Sequence, residues 1–307
     1  MNNDIKKTAI IGMGALGMLY ASQISSAFGP DSVCFLADQK RIERYQKMTY
    51  TINRIPCSFP MKTPENASPA DLIIIAVKYN ALPSALETMT SFVGPDTTII
   101  SVMNGIDSEA IAGKRYGDEK VLYCIAQGMD AMKFGTDLTY TRSGELCLGI
   151  RIKGQENRLN ALTRYFDSAK ITYRIESDFL KRLWGKFMLN VGINQTCMAY
   201  EANYAQALTP GTIYDTLIGA MREIIFLARK EGIALTEGDL EFYIELLKTL
   251  SPKGVPSMRQ DGIAHRPSEV EMFSGTVRKL AAKHGLSVPV NDMLYKKIKD
   301  MESTYIS

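Results

Sequence analysis

Residues 7–17 read KTAIIGMGALG, a short apolar run followed by three glycines. Residues 7–11 predict a buried β-strand, and Ala15–Phe28 predicts an α-helix with apolar residues at helical spacing. In a G-x-G-x-x-G loop the first glycine permits a tight turn, the second lets the backbone approach a pyrophosphate, and the third lets the helix pack closely on the strand. The stretch therefore predicts a dinucleotide site at the N-terminus of the helix, formed by Gly12, Met13, Gly14, Ala15, Leu16 and Gly17.

The context of this loop separates a dinucleotide site from an ordinary glycine turn without a ligand. An apolar strand precedes the loop, a helix follows it, and a second predicted strand, Val33–Leu36, ends close to Asp38. Asp38 lies 38 − 17 = 21 residues beyond the third glycine, where a carboxylate can meet the adenine ribose. These three features favour the dinucleotide site.

The first half of the chain continues to alternate strands with helices. Further strands are predicted at residues 71–77, 97–102 and 121–126, and a helix at 81–92. Continuous apolar strands separated by helices indicate a parallel sheet covered on both faces. The Gly-punctuated stretch at 135–150 predicts an antiparallel hairpin at the edge of that sheet.

Helical periodicity replaces strands after about residue 176. Helices are predicted at 179–200, 211–231, 237–250, 267–284 and 289–302, with an irregular stretch or short helix at 257–266. The fold class is therefore α/β, with an N-terminal Rossmann-type doubly wound sheet followed by an all-α C-terminal domain. We expect a dinucleotide-binding domain at 1–176 and a helical substrate-binding and catalytic domain at 177–307.

Composition excludes several classes of function. Lys+Arg 36 against Asp+Glu 33 gives a net charge of +3, too balanced for a nucleic-acid surface. No apolar run approaches the ~20 residues of a membrane span, and no secretory signal is apparent, so a cytoplasmic protein is expected. The five cysteines lack C-x-x-C spacing and there are two histidines, so neither a disulfide framework nor a metal site is predicted.

A polar ladder interrupts the apolar helix predicted at 179–200. Lys186, Asn190 and Asn194 recur at i, i+4 and i+8, so they follow one face of the helix. Polar side chains on so apolar a helix need partners or a polar cavity, because their burial without partners is costly. A lysine beside such a cavity suits a proton donor. The alternative is an exposed lysine with two amides that bond neighbouring backbone, and the upstream dinucleotide site favours an active-site helix.

Two further segments carry candidate polar groups. Asn104-Gly105 follows a predicted strand at the carboxyl edge of the sheet, where open α/β sheets place ligands, although Asn-Gly is also an ordinary turn. Residues 256–271 contain Ser257, Glu269 and other acidic residues at a predicted helix start. Taken singly, each acidic residue there is more typical of a solvated charge.

The order and spacing of these segments resemble the ketopantoate reductase family (2-dehydropantoate 2-reductase). The resemblance extends from the glycine loop to Met293. It includes Lys78 after IIIAV, the Asn104-Gly105 turn, the Lys-x-x-x-Asn-x-x-x-Asn helix, and the stretch from Ser257 to Ser268-Glu269. The family has a Rossmann domain followed by a helical domain.

The resemblance implies an activity and a set of residue roles. The enzymes reduce 2-dehydropantoate to (R)-pantoate with NADPH, on the route to pantothenate and coenzyme A. Lys186 would donate the proton to the ketone oxygen, and Glu269 would hydrogen-bond the reacting oxygen and hold the substrate. The substrate pocket would be lined by Asn104, Asn190, Asn194 and Ser257, and the cofactor would be bound by the glycine loop with Asp38, Arg41, Lys78 and Asn104.

Two departures from the family pattern leave alternatives open. Asp38 argues for NAD, whereas Lys40, Arg41 and Lys78 argue for the 2′-phosphate of NADP, so NADPH is expected with NAD not excluded. Residues 195–199 read QTCMA where the family often has a Pro-Leu-Thr-Ala-like stretch, which leaves the ketoacid open.

Other classes of protein remain as competing interpretations. The β-hydroxyacid dehydrogenases share the architecture and a Lys-x-x-x-Asn helix, and act on other 2-keto or β-hydroxy acids. A non-catalytic nucleotide sensor would need no proton donor. The expected partner is a small-molecule ketoacid, with no nucleic acid and no membrane. A homodimer stays open because a helical second domain often buries a dimer face.

Overall fold

Residues 4–305 are described by a computed structural model, in which the chain divides into two units, Met1–Phe179 and Leu180–Ser307. The described strands are β1 (Thr8–Ile11), β2 (Val33–Leu36), β3 (Tyr50–Ile52), β4 (Ile55–Cys57), β5 (Met61–Lys62), β6 (Ala70–Ile75), β7 (Val93–Ser101), β8 (Tyr123–Gln127), β9 (Met132–Phe134), β10 (Asp137–Thr139), β11 (Glu145–Gly149) and β12 (Tyr173–Ile175).

The helices of the first unit are α1 (Ala15–Phe28), α2 (Gln39–Gln46), α3 (Leu82–Met89), α4 (Ser108–Tyr116) and α5 (Glu156–Ala169). The second unit is built from α6 (Phe179–Ala199), α7 (Tyr204–Leu208), α8 (Thr212–Lys230), α9 (Glu237–Lys248), α10 (Ser257–Ile263), α11 (Thr276–His284) and α12 (Pro289–Ser303). A π-helical turn, Glu271–Gly275, leads directly into α11.

A parallel five-stranded sheet in the order β5-β2-β1-β6-β7 forms the centre of the first unit. The chain moves outward from β1 through β2 to β5, then returns to β6 on the other side of β1. The strand order therefore reverses between β1 and β6, which is the position where doubly wound sheets bind ligands. This topology confirms the predicted Rossmann-type fold.

Both faces of the sheet are buried, which explains why its strands are apolar without alternation. Ile10 and Ile74 pack into one core cluster with α1 and α5, while Ile11 and Ile75 pack into another with α3. All four are at most 2 % exposed. Burial of each such side chain contributes about 1.5–3 kcal/mol, so this layered core dominates the stability of the unit.

The hairpin predicted at 135–150 is wrong, because β10 and β11 belong to different sheets. β10 pairs with β3 in the order β4-β3-β10-β9, with Leu138 opposite Ile52. β11 lies between β12 and β8, antiparallel to β8. The real hairpin is β9–β10, which turns at Gly135. Leu138 is fully buried, and its burial requires a strand more than 80 residues upstream.

The second unit is helical, and within the described residues no strand follows Ile175. The predicted positions of α6, α8, α9 and α12 agree with the structure to within two residues at either end. The helix predicted from 267 begins only with the π turn at Glu271. Residues 267 and 268 lie in an irregular segment, where the backbone N–H of Ser268 bonds the Glu302 carboxylate (2.7 Å). Sequence reasoning missed α2, α4, α5 and α7.

Candidate active site

The glycine loop between β1 and α1 is shaped by contacts with the end of β6. Gly12 has a φ of +108°, and a Cβ at this position would overlap the carbonyl oxygen of Ala76. A Cβ on Gly17 would overlap the carbonyl oxygen of Gly12, so α1 can approach β1 this closely only with glycine there. Packing within the unit therefore requires glycine at both positions, whatever the loop binds.

Gly14 differs from Gly12 and Gly17 because packing within the unit does not require a glycine at this position. Its φ of −84° suits any residue, and the nearest atom to a Cβ would be the Ala76 oxygen at 3.8 Å. In the described part of the chain, no side chain caps α1 at Gly14 and its first turn has no acidic residue. The first N–H groups of a helix lack intrahelical partners and carry positive partial charge. The space and the exposed donors fit a dinucleotide pyrophosphate.

The remaining loop residues can contribute only backbone groups to a ligand. Met13 is 7 % exposed and lies in the core cluster beneath α1, and Ala15 and Leu16 pack partly against the same cluster. Their side chains are therefore committed to the protein interior.

Asp38 and Arg41 lie at the end of β2, where the adenine ribose is expected. The Asp38 carboxylate caps α2 by accepting a hydrogen bond from the backbone N–H of Arg41 (2.8 Å). It also lies 3.4 Å from Nε of Arg41, with both side chains about half exposed. The carboxylate is thus partly neutralised and engaged by its own helix.

Lys78 and Asn104 follow the ends of β6 and β7, at the same carboxyl edge of the sheet as the glycine loop. Lys78 is exposed and precedes a short helical turn, while Asn104 is half-buried and is followed by Gly105 with a φ of +92°. The structure therefore places both residues at the carboxyl edge of the sheet, near the glycine loop.

A buried polar group supports the Asn104 loop, and sequence reasoning missed it. The hydroxyl of Ser101 accepts the backbone N–H of Met103 (3.3 Å) and lies 2.8 Å from the hydroxyl of Ser108. Ser108 in turn bonds the Glu109 carboxylate (2.7 Å). Burial raises the pKa of Glu109. The sequence signal was an acidic residue on the apolar face of α4, a helix that had not been predicted.

Because Gly17 is required for packing and Gly14 leaves space for a ligand, substitutions at the two positions should affect thermal stability and cofactor binding separately. We expect Gly14→Ala to keep the melting temperature of the wild type and to weaken binding of a dinucleotide such as NADPH about tenfold, a loss of about 1.4 kcal/mol. Gly17→Ala should instead lower the melting temperature, because α1 must move away from β1. Thermal unfolding and fluorescence titration with NADPH check both. Equal melting temperatures for the two variants would contradict this account of the loop.

In the second unit, α6 carries the predicted polar face. Lys186 and Asn190 are half-buried, and Asn194 is 4 % exposed. The amide of Asn194 donates to Oδ1 of Asn190 (3.3 Å). Neighbouring positions such as Phe187 and Val191 are at most 1 % exposed, so the helix is fixed on its other faces. The Lys-Asn-Asn spacing therefore produces a continuous polar strip on a buried helix.

Asn194 also brings Ser257 to this strip. Its Oδ1 accepts hydrogen bonds from Ser257 Oγ and from the backbone N–H of Met258, both at 3.2 Å. Ser257 is exposed at the first position of α10. Two of the candidate substrate groups, predicted from distant segments, therefore lie in direct contact.

Glu269 lies in a bend before the π turn, not in the first turn of a helix as expected. Its side chain is half-buried, and its carbonyl oxygen accepts the N–H groups of Met272 (3.0 Å) and Phe273 (3.1 Å). The ring of Phe273 lies 6.5 Å from that of Phe187, so the π turn packs against α6. Asp261, by contrast, is buried and paired with Arg266 at 3.0 Å, which makes it a structural group.

Residues 4–305 contain neither a disulfide bond nor a cluster of side chains suited to bind a metal ion. The five cysteines are unpaired with one another, and no group of three or more acidic, histidine or cysteine side chains there could hold a metal. Burial raises the pKa of Cys197 on α6 to about 12, so it stays a thiol at neutral pH. Within the same residues, no helix combines the length and apolarity needed to cross a bilayer.

A Rossmann-type unit with a phosphate-adapted glycine loop, followed by a helical unit with a lysine–amide strip, defines a two-domain oxidoreductase. Models of the ketopantoate reductase PanE/ApbA family match the chain at residues 8–148, and those of its C-terminal domain match residues 178–302. The chain belongs to the ketopantoate reductase family.

Individual relatives cover nearly the whole chain. A 2-dehydropantoate 2-reductase of Aquifex aeolicus is 27% identical over 306 residues, 97% of each chain. A ternary structure of D-mandelate dehydrogenase with NADH and anilino(oxo)acetate has a TM-score of 0.86 at 20% identity, covering 98% of this chain and 100% of the other. The structure of a dimeric ketopantoate reductase from Staphylococcus aureus has a TM-score of 0.77 at 23% identity, covering 97% of this chain and 99% of the other. The two structures show the shared fold.

Proposed function

We propose that this chain is a cytoplasmic NADPH-dependent 2-dehydropantoate 2-reductase that forms (R)-pantoate for pantothenate and coenzyme A synthesis. The observation that carries the proposal is the strip of Lys186, Asn190 and Asn194, with Ser257 bonded to Asn194. These are the groups that a 2-keto acid with a hydroxyl substituent requires, namely one cation and several neutral hydrogen-bonding groups. The family membership and the name of the Aquifex relative support the same reaction.

The residues of the second unit supply the proton and hold the substrate. When bound, NADPH supplies a hydride for the keto carbon of the substrate. The ammonium of Lys186 stabilises the negative charge that develops on the keto oxygen and transfers its proton there, which completes the hydroxyl group. Asn190, Asn194 and Ser257 orient the substrate by hydrogen bonds, and Glu269 accepts a hydrogen bond from a hydroxyl group of the substrate or product.

Binding of the cofactor is assigned to the first unit. The N-terminus of α1 at Gly14 would hold the pyrophosphate, with Lys78 and Asn104 at the same edge of the sheet. NADPH is proposed over NADH because the Asp38 carboxylate caps α2 and pairs with Arg41, which offsets its charge; Lys40 and Lys78 are the cations proposed to meet a 2′-phosphate. The opposing interpretation is that Asp38 binds the ribose hydroxyls of NADH.

Cofactor choice gives a second prediction. We expect a higher kcat/KM with NADPH than with NADH, by about tenfold or less because the cations are exposed and screened. Lys78→Ala should reduce the ratio, whereas Asp38→Ser should preserve it or increase it, since serine retains a cap for α2 without the charge. Steady-state kinetics with both cofactors measures this ratio. A wild type that favours NADH, with the preference reversed in Asp38→Ser, would show that the choice of NADPH is wrong.

A second candidate is a reductase for another 2-keto acid. It is favoured by the likeness to a D-mandelate dehydrogenase that was solved with NADH and anilino(oxo)acetate. The QTCMA departure from the family pattern does not favour it, because Gln195 to Ala199 are at most 3 % exposed and belong to the core. None of these five residues belongs to the strip formed by Lys186, Asn190 and Asn194.

A panel of 2-keto acids separates the candidates. We expect 2-dehydropantoate to give a higher kcat/KM than phenylglyoxylate or 2-oxoisovalerate, each assayed with NADPH and with NADH. Preference for phenylglyoxylate would support the second candidate. Absence of turnover with every acid, despite NADPH binding, would support a nucleotide sensor.

The partners proposed are a small-molecule ketoacid and a second copy of the chain. The homodimer is supported by the dimeric relative from Staphylococcus aureus. Exposed apolar side chains on α9, Phe242 and Leu246, lie one turn apart and offer a face for it. Sedimentation equilibrium of the purified chain distinguishes monomer from dimer.

A further inference from the structure

The π turn before α11 leaves one backbone N–H group without a helical acceptor. The carbonyl oxygen of Glu269 accepts from Phe273, four residues on, as in an α-helix. The next carbonyl, that of Val270, skips Ser274 and accepts from Gly275, five residues on, at 3.0 Å. A π turn of this kind contains one more residue than an α-helical turn, and the N–H of Ser274 is the group displaced.

Gln195 of α6 supplies the missing acceptor. Its Oε1 accepts the N–H of Ser274 at 3.1 Å. Gln195 is fully buried, and an unsatisfied buried N–H costs about 1–3 kcal/mol. The side chain of Gln195 therefore removes this cost and stabilises the π turn.

The amide of Gln195 is held in one orientation by its other partners. Its Nε2 donates to the carbonyl oxygen of Val191 (2.9 Å) and to Oδ1 of Asn291 (3.1 Å). Asn291 is oriented in turn, because its Nδ2 donates to the Glu223 carboxylate (2.7 Å). If the Gln195 amide were rotated by half a turn, its NH₂ group would face the backbone N–H of Ser274, and two donors would meet. The network thus fixes an acceptor opposite the displaced N–H.

Two consecutive residues of α6 consequently hold the two segments that carry candidate substrate groups. Asn194 bonds the start of α10, which carries Ser257, and Gln195 bonds the π turn that follows Glu269. If the π turn reverted to an α-helix, residues on one side of it would shift by one position, about 100° and 1.5 Å along the axis. Glu269 would then move relative to Asn194.

We propose that Gln195 is a positioning residue that keeps the π turn and thereby sets the place of Glu269 relative to the lysine–amide strip. Gln195 does not touch the substrate and acts only through the backbone of Ser274. The inference rests on the proposed reductase function for its catalytic consequence. The dependence of the π turn on Gln195 is a property of the fold alone.

Gln195→Met tests the proposal, because methionine is of similar length and apolar and offers no comparable acceptor. We expect kcat/KM with 2-dehydropantoate to fall about tenfold or more, chiefly through a higher KM, and the amide of Ser274 to exchange with solvent at least about tenfold faster by NMR.

Thr216→Val is the matched control for lost stability. Thr216 is also buried and hydrogen-bonded, to Tyr200 (3.2 Å) and to the carbonyl of Thr212 (2.8 Å), but it has no bond to the π turn. We expect it to lower the melting temperature without changing KM or the exchange of Ser274.

Each outcome of this experiment has a separate meaning. Wild-type KM and wild-type Ser274 exchange in Gln195→Met would overturn the inference, as would an equal rise of KM in Thr216→Val. If the unmodified chain reduces no 2-keto acid, the proposed function fails and takes the catalytic consequence with it. The exchange rate of Ser274 still decides whether Gln195 holds the π turn.

Discussion

Lys186→Ala is expected to lower kcat with 2-dehydropantoate by about 10²–10³-fold, because a donor aimed at developing oxyanion charge is typically worth that much. The charge of Lys186 is needed mainly where the alkoxide forms, so the dissociation constant of NADPH should change by about twofold at most. Single-turnover measurements of NADPH oxidation, together with fluorescence titration of the cofactor, give both quantities.

Lys181→Ala is the matched control for that variant. Lys181 lies five residues earlier on α6 and pairs with Asp239 at 3.0 Å, outside the strip formed by Lys186, Asn190 and Asn194. We expect it to retain kcat within about twofold, since a partly exposed ion pair contributes little. A near-wild-type kcat for Lys186→Ala, or an equal loss in both variants, would remove Lys186 from the proposed mechanism.

Glu269→Ala should raise KM for 2-dehydropantoate and lower kcat, with a combined loss in kcat/KM of about tenfold to a hundredfold for a charged hydrogen-bonding group. Glu271→Ala is the comparison, because Glu271 is exposed two residues further on and bonds Tyr295 (2.7 Å). We expect Glu271→Ala to keep wild-type kinetics. Similar small effects in both variants would contradict a role for Glu269 in substrate binding and would support its interpretation as a solvated charge.

Asp261 would be a poor control for Glu269, although both lie in the same acidic segment. Asp261 is 5 % exposed, and its carboxylate accepts a hydrogen bond from Nε of Arg266 at 3.0 Å. Replacing this buried side chain by alanine would remove its hydrogen bond and leave unfilled space, which costs stability. Loss of activity in Asp261→Ala would therefore be accompanied by a lower melting temperature.

Local patterns in the sequence were sufficient to predict the elements that carry the glycine loop and the lysine–amide strip. The glycine loop fixed the end of β1 and the start of α1, and the observed α1 has the predicted bounds, Ala15–Phe28. The spacing of Lys186, Asn190 and Asn194 placed them on one face of α6. Both patterns depend on neighbours within a few turns of chain, which is the range over which sequence periodicity is informative.

Features that depend on distant partners were beyond local patterns. The pairing of β10 with β3 depends on the burial of Leu138 against residues more than 80 positions away. The π turn depends on Gln195, a residue 79 positions upstream of Ser274, and no signal near Glu271 announces it. The capping of α2 by Asp38 could have been expected from its position before Gln39, but the fingerprint of a ribose-binding carboxylate suggested the other role.

The most direct measurement is the stoichiometry of reduction by the unmodified chain, with NADPH oxidation and chiral analysis of the product followed in the same reaction. The proposed function predicts one (R)-pantoate formed for each NADPH oxidised with 2-dehydropantoate, and loss of this activity in Lys186→Ala. No pantoate with either NADPH or NADH, or unchanged turnover in Lys186→Ala, would contradict it.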